Sequence, residues 1–134
     1  MDTLTKAERS VLMRLIRSKD TKPELAIRRL IHGMGYRYRL HGKNLPGCPD
    51  IVFSTKAKVI FVHGCFWHLH RNCSKCRPPN SRQEYWKAKL DRNAERDKRV
   101  RRQLLRIGWH SLVIWECELG DLKRISGRVQ KFLT

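Results

Sequence analysis

Apolar residues recur at helical spacing in some stretches of the chain and as short unbroken runs in others, and that contrast outlines an architecture. Val11, Leu12, Leu15 and Ile16 on a basic background predict a short helix over residues 6–17. Thr21-Lys22-Pro23-Glu24 reads as a capping box with proline in the first turn. Behind it, Ile27, Leu30, Ile31 and Met34 continue one apolar face until Gly33 and Gly35 stop it. Tyr36-Arg37-Tyr38-Arg39-Leu40 alternates like a half-buried strand, and the turn-rich segment 42–49 after it predicts a hairpin-like return. Residues 50–53 and 59–62 are almost continuously apolar, the pattern of strands covered on both faces near the centre of a sheet. Periodicity then vanishes from His63 to Asn80, where Cys, His, Gly and Pro dominate and no regular structure is expected. Ser81-Arg82-Gln83-Glu84 reads as a second capping box, opening a long charged helix that runs to about Ile107 and ends at Gly108. A strand over 109–115 and a helix over 121–132, with Leu122, Ile125, Val129 and Phe132 on one side, complete the order. Together these elements predict one α/β domain over residues 1–134 with a mixed sheet.

Charge narrows the function classes. The 134 residues carry 30 Lys and Arg against 12 Asp and Glu, a formal net charge of +18. Self-repulsion of that size makes sense chiefly if an extended polyanion neutralises it, which points to nucleic acid. No apolar stretch is long enough to span a bilayer and no amphipathic face long enough to lie on one. The first residues lack the apolar run of a secretory signal, so a cytoplasmic, nucleoid-associated protein is expected. In that reducing compartment five cysteines, an odd number, suit metal ligation better than disulfides.

Three groups of residues carry chemistry. Cysteines and histidines crowd the segment from Cys65 to Cys76, with Cys117 far away at the end of the last strand, a density that suits a zinc ion pinning a loop to a sheet. The Cys73 and Cys76 pair can itself chelate or take part in redox chemistry, and buried free cysteines are the bland alternative. Asp50, at the mouth of one buried strand and facing the end of its neighbour, is a carboxylate suited to Mg²⁺, although an Asp after a proline is also a common turn former. His63 and His68 are candidates for general base or acid; either can instead be a zinc ligand or a surface residue. Phe66 and Trp67 are adjacent large rings in a polar loop, suited to stacking between base steps, as Trp86 on the charged helix can be. Otherwise all three rings cover the loop as a small satellite core.

Pro49-Asp50, Val62-His63-Gly64-Cys65-Phe66-Trp67-His68, Glu84-Tyr85-Trp86, Asn93-Ala94-Glu95-Arg96-Asp97 and Trp115-Glu116-Cys117 make the sequence resemble the very-short-patch (Vsr) mismatch-repair endonucleases over residues 6–119. The resemblance implies a restriction-endonuclease-like three-layer α/β fold, a central mixed sheet flanked by helices. It also implies two Mg²⁺ ions, one structural Zn²⁺, and a monomer that nicks double-stranded DNA beside a T·G mismatch to leave a 5′-phosphate. Asp50 and the backbone carbonyl of Val62 would then bind Mg²⁺, with His68 as base. His63 and Glu24 would complete the catalytic neighbourhood, Glu24 having its second explanation as the capping-box residue. Cys65, His70, Cys73 and Cys117 would hold zinc, and Met13, Phe66, Trp67 and Trp86 would wedge into or approach the opened mismatch. Residues 1–20 would form a DNA-contacting arm, and 63–80 the zinc and intercalating loop.

The chain departs from the family pattern at Val62, often threonine in relatives, and at Cys48, which replaces an arginine. Leu69 and Arg71 thin the histidine run. One extra residue before Cys73, together with Cys76, leaves open which of those two thiols meets the metal. A zinc-stabilised DNA-binding module without catalysis, or a less mismatch-selective nuclease of the same fold, are the competing readings.

Overall fold

The computed structural model describes residues 5–8, 21–70, 73 and 82–134. Met13, Cys76 and most of the first expected helix lie outside the described residues, though residues 6–8 are helical.

Helix α1, Lys22–Gly33, starts where the sequence places it: the Thr21 side chain accepts the N–H of Glu24, and proline occupies the first turn. Strands β1 (Arg39–Leu40), β2 (Ile51–Phe53), β3 (Lys58–His63) and β4 (His110–Trp115) form one sheet in the order β1-β2-β3-β4. The pairs β1-β2 and β2-β3 are antiparallel, and β3-β4 is parallel, so the sheet is mixed. The crossover from β3 to β4 contains helix α2, Gln83–Arg106, and a short 3₁₀ turn, Glu116–Gly120, leads from β4 to α3, Leu122–Leu133. Among the described residues no helix is long and apolar enough to cross a membrane.

The two unbroken apolar runs follow from burial on both faces. Ile51 pairs with Ile60 and Val52 with Val59. Ile51, Phe53, Ile60 and Ile114 pack with Ile27 and Ile31 of α1 and with Ile125, Val129 and Leu133 of α3. Val52, Val59 and Phe61 face the other way onto Leu104 and Val100 of α2. Alternate residues of each strand thus feed two cores, with helices on both faces of the sheet.

Three expectations shift. The strand expected over 36–40 is reduced to Arg39–Leu40, although Tyr36 and Tyr38 still turn inward and set their ring edges on Phe53. The α2 N-cap is Arg82, one residue later than the capping box placed it, and its side chain makes no cap bond. Arg82 sits in the left-handed region with φ 56°. On α3, Leu122 is exposed and Leu133 takes the buried position, because the helix begins only after Asp121 caps it through the N–H of Arg124.

The turn between β1 and β2 is pressed against α2. Gly47 has φ +76°, and a Cβ there would meet Cγ1 of Val100 at 2.4 Å, so both conformation and space require glycine. Cys48 and His41 also hold positive φ on either side of this turn, which delivers Asp50 to the start of β2.

Candidate active site

The parallel pair β3-β4 ends with His63 beside Trp115, and most residues with chemical potential gather at this end of the sheet. Three clusters lie there.

Asp50 comes first. Its Oδ2 accepts the backbone N–H of Val62 at 2.7 Å, so the carboxylate just before β2 is fastened to the residue preceding His63. Ligating atoms of Glu24, His41 and Asp50 all lie within 4.8 Å of one another. Burial, and then the adjacent Glu24 carboxylate, push the Asp50 carboxyl up to about 7 against the opposing pull of the Val62 N–H. Glu24 is itself buried, and Arg28 donates to its Oε2 at 3.0 Å and to Nε2 of His41 at 3.3 Å. Because a guanidinium can only donate, Nε2 of His41 accepts in that contact. Glu24 therefore occupies the Asp50 cluster as well as the first turn of α1.

His63, His68 and Asp97 form the second cluster. The two imidazoles stack with centroids 3.7 Å apart and planes 7° apart, and Nδ1 of His68 lies 2.5 Å from Oδ2 of Asp97. A carboxylate can only accept, so Nδ1 of His68 donates to Asp97 and its Nε2 faces away from that bond. Burial, then the neighbouring His68, push His63 down to about 3, which keeps it neutral. Its Nδ1 is buried without a hydrogen-bond partner among the described residues.

The third cluster joins Cys65, His70, Cys73 and Cys117, with ligating atoms within 4.8 Å of one another. Nδ1 of His70 lies 3.5 Å from Sγ of Cys65 and 3.3 Å from Sγ of Cys117. Tetrahedral zinc with ordinary bond lengths separates a sulfur from a nitrogen ligand by about 3.5 Å, so spacing and donor chemistry both fit that ion. Without a metal, burial pushes the Cys65 thiol up to about 12 and raises that of Cys117. The N–H of Cys65 donates to Oε1 of Glu116, tying the loop to the end of β4.

The aromatic residues form a graded patch. Phe66 and Trp67 are half-buried, edge to face at 5.1 Å, whereas Trp86 is fully buried beneath them, 5.8 Å from Phe66 and 6.1 Å from Trp67. The amide of Asn93 donates to the Trp67 carbonyl, and the Lys89 ammonium lies 5.9 Å from the Trp67 ring centroid. Trp86 is thus the platform of this patch.

Reading residues along the chain missed Asp97, His41, Arg28, Glu116 and Trp115 as parts of the site. A signal for Asp97 existed. Trp86, Leu90, Asn93, Val100 and Leu104 mark the inward stripe of α2, and Asp97 falls on that stripe where an apolar residue is expected. The Arg28 contact with His41 joins a helix to a turn 13 residues on, and no local pattern announces it.

The family model described as DNA mismatch endonuclease Vsr matches residues 1–75. The chain is similar to the type II nicking enzyme V.XorIIP of Xanthomonas oryzae pv. oryzae, 48% identical over 132 residues that cover 98% of this chain and 96% of the relative. It is also similar to the type II nicking enzyme V.NmeAIP of Neisseria meningitidis, 43% identical over 120 residues, with 90% and 85% covered. With the DNA mismatch endonuclease Vsr of Escherichia coli the identity is 40% over 125 residues, covering 93% of this chain and 80% of the relative.

Proposed function

Since the chain belongs to the DNA mismatch endonuclease Vsr family and is an endonuclease, we propose that it hydrolyses one phosphodiester of duplex DNA beside a T·G mispair, with Asp50 as its metal-binding carboxylate. The observation that carries this reading is Asp50 itself, fastened to Val62, next to Glu24, at the strand end from which the stacked histidines project.

The Asp50 cluster fits a divalent cation. A buried carboxyl held up near 7 by desolvation and by a second carboxylate is a pair of hard oxygen donors that a cation would relieve. Val62 adds a third donor, because N–H and C=O of one strand residue point to the same side, and its N–H already faces Asp50. Asp50, Glu24 and the Val62 carbonyl would hold Mg²⁺. When bound, Mg²⁺ supplies Lewis-acid stabilisation of the charge that develops on the phosphate and the departing oxygen.

The remaining chemistry belongs to the chain. Asp97 fixes the His68 tautomer and ring direction, and His68 Nε2 takes a proton from the attacking water. His63 stays neutral, so the imidazolium formed on His68 meets no like charge across the stack. Zinc, held by Cys65, His70, Cys73 and Cys117, would order the loop that carries Phe66, Trp67 and His68. Phe66 and Trp67 would enter the opened base step, which costs less at a mispair than in matched DNA. The basic surface of α2 supplies affinity that is independent of sequence.

End-labelled duplexes differing only in one T·G pair, incubated with Mg²⁺, test the proposal. The expected result is one nick beside the mispair with a 5′-phosphate and little cleavage of matched duplex. Equal cleavage of both duplexes would contradict mismatch selectivity, and tight binding without any cleavage would return the chain to a DNA-binding module.

A further inference from the structure

The register places Trp115 directly beside His63 across the parallel β3-β4 pair. His70 lies flat on the indole, centroids 4.1 Å apart and planes 7° apart. The rings of His63 and His68 stand nearly upright against the same indole, at 5.2 Å and 76° and at 6.4 Å and 70°. One side chain thus touches a member of the Cys-His cluster and both members of the stacked histidine pair.

The segment that holds Trp115 is fixed at every residue. The N–H of Trp115 donates to Oε1 of Glu118 at 3.0 Å. Glu118 pairs through its other oxygen with Arg128, whose second nitrogen donates to the Val113 carbonyl at 3.1 Å. Glu116 receives the N–H of Cys65, and Cys117 adds its sulfur to the Cys-His cluster. Trp115 is only half-buried, so filling the core does not by itself account for so constrained an indole.

We propose that Trp115 is a positioning residue that sets the place of the His63–His68 stack from the metal cluster through the His70 ring. Its role is to position the imidazoles, not to react. Its effect follows from geometry: a base displaced by about 1 Å loses on the order of a hundredfold in rate, and a flat rigid ring braces two imidazoles better than a flexible chain does. The inference rests on the reading of His68 as the base.

The test compares wild type, Trp115→Phe, Trp115→Leu and His68→Ala as full chains loaded with Zn²⁺. Zinc per chain, affinity for T·G duplex, single-turnover nicking and the NMR signals of the imidazole rings are measured on each. Trp115→Leu is expected to keep its zinc and to bind DNA within about threefold of wild type, while nicking falls by roughly tenfold to a hundredfold. Its His63 and His68 ring protons are expected to lose their ring-current shift. Trp115→Phe, which keeps a flat face, is expected to recover most of the rate. Nicking by zinc-loaded Trp115→Leu within twofold of wild type, or a loss only in proportion to missing zinc, would overturn the inference. Should Trp115→Leu fail to fold, wild type decides: adding Zn²⁺ to the metal-free chain must move the His63 and His68 ring signals, and unmoved signals overturn it. Nicking that survives in His68→Ala refutes the base assignment, whereas an inactive His68→Ala beside a fully active Trp115→Leu refutes the role of Trp115 alone.

Discussion

The backbone N–H of Val62 donates to the carboxylate of Asp50, and that 2.7 Å bond joins the start of one strand to the end of its antiparallel neighbour. It sets the Asp50 carboxylate against the residue that precedes His63 in β3. The same bond stabilises the ionised carboxylate, while burial and Glu24 oppose ionisation and outweigh it, which raises the Asp50 carboxyl to about 7.

Two buried groups give the protein, without added Mg²⁺, opposing pH dependences. Asp50 is raised from 3.8 to about 7, so the folded state holds the extra proton and stability falls as pH rises through that window. His63 is lowered from 6.5 to about 3, so the unfolded state holds the extra proton and stability falls as pH drops below about 6.5. Each slope is at most about 1.4 kcal/mol per pH unit, and between pH 4 and 6.5 they offset. Urea denaturation across pH 4–8 should show Asp50→Asn gaining stability with rising pH and His63→Asn losing it. Parallel profiles for both variants would contradict the assignment.

Asp97→Asn should leave zinc content and DNA affinity intact. An amide can donate to Nδ1 of His68, which frees the other tautomer and removes the base from Nε2. A fall in single-turnover nicking of roughly a hundredfold to ten-thousandfold is expected, within the range that general-base catalysis supplies. A rate within fivefold of wild type would show that His68 needs no orienting carboxylate.

Thiols whose proton affinity burial raises must release protons to bind zinc. Adding Zn²⁺ to the metal-free chain at pH 7 in two buffers of different ionisation enthalpy should reveal at least two protons, from Cys65 and Cys117. Cys117→Ser should lower the zinc content measured by native mass spectrometry and reduce Tm by roughly 10 °C or more. Full zinc retention by that variant would remove Cys117 from the site.

Trp86 and Trp67 should separate stability from recognition. Trp86 is fully buried, so Trp86→Ala should destabilise the fold by about 3–5 kcal/mol. Half-buried Trp67 should cost less than about 2 kcal/mol on truncation, yet weaken binding to mismatched duplex by roughly tenfold, the scale of one lost base stack. Denaturation midpoints and Kd values check both, and an exchange of the two effects would reverse the roles.

The fold was legible wherever one residue's burial depends on its immediate neighbours. The unbroken runs 51–53 and 59–62 announce strands with helices on both faces, and Thr21 with Pro23 marks the start of α1. The strand expected over 36–40 shrinks to Arg39–Leu40 because alternation reports which side chains turn inward, whereas a ladder needs a partner, and of these residues only Arg39 and Leu40 have one. Local composition likewise flagged Asp50, the histidines and the cysteines. What stayed hidden depends on register between distant segments: His63 beside Trp115, Asp97 turned onto His68, and Arg28 between Glu24 and His41. Those contacts select side-chain orientation, and orientation leaves little trace in the order of residues.

Single-turnover nicking of a T·G duplex by wild type and Asp50→Asn, at protein concentrations that saturate binding and across a Mg²⁺ titration, tests the role of Asp50 most directly. Expected is unchanged DNA affinity with nicking lowered by roughly a thousandfold or more at every Mg²⁺ concentration, because an amide cannot hold the cation as a carboxylate does. Nicking by Asp50→Asn within tenfold of wild type at saturating Mg²⁺ would contradict it.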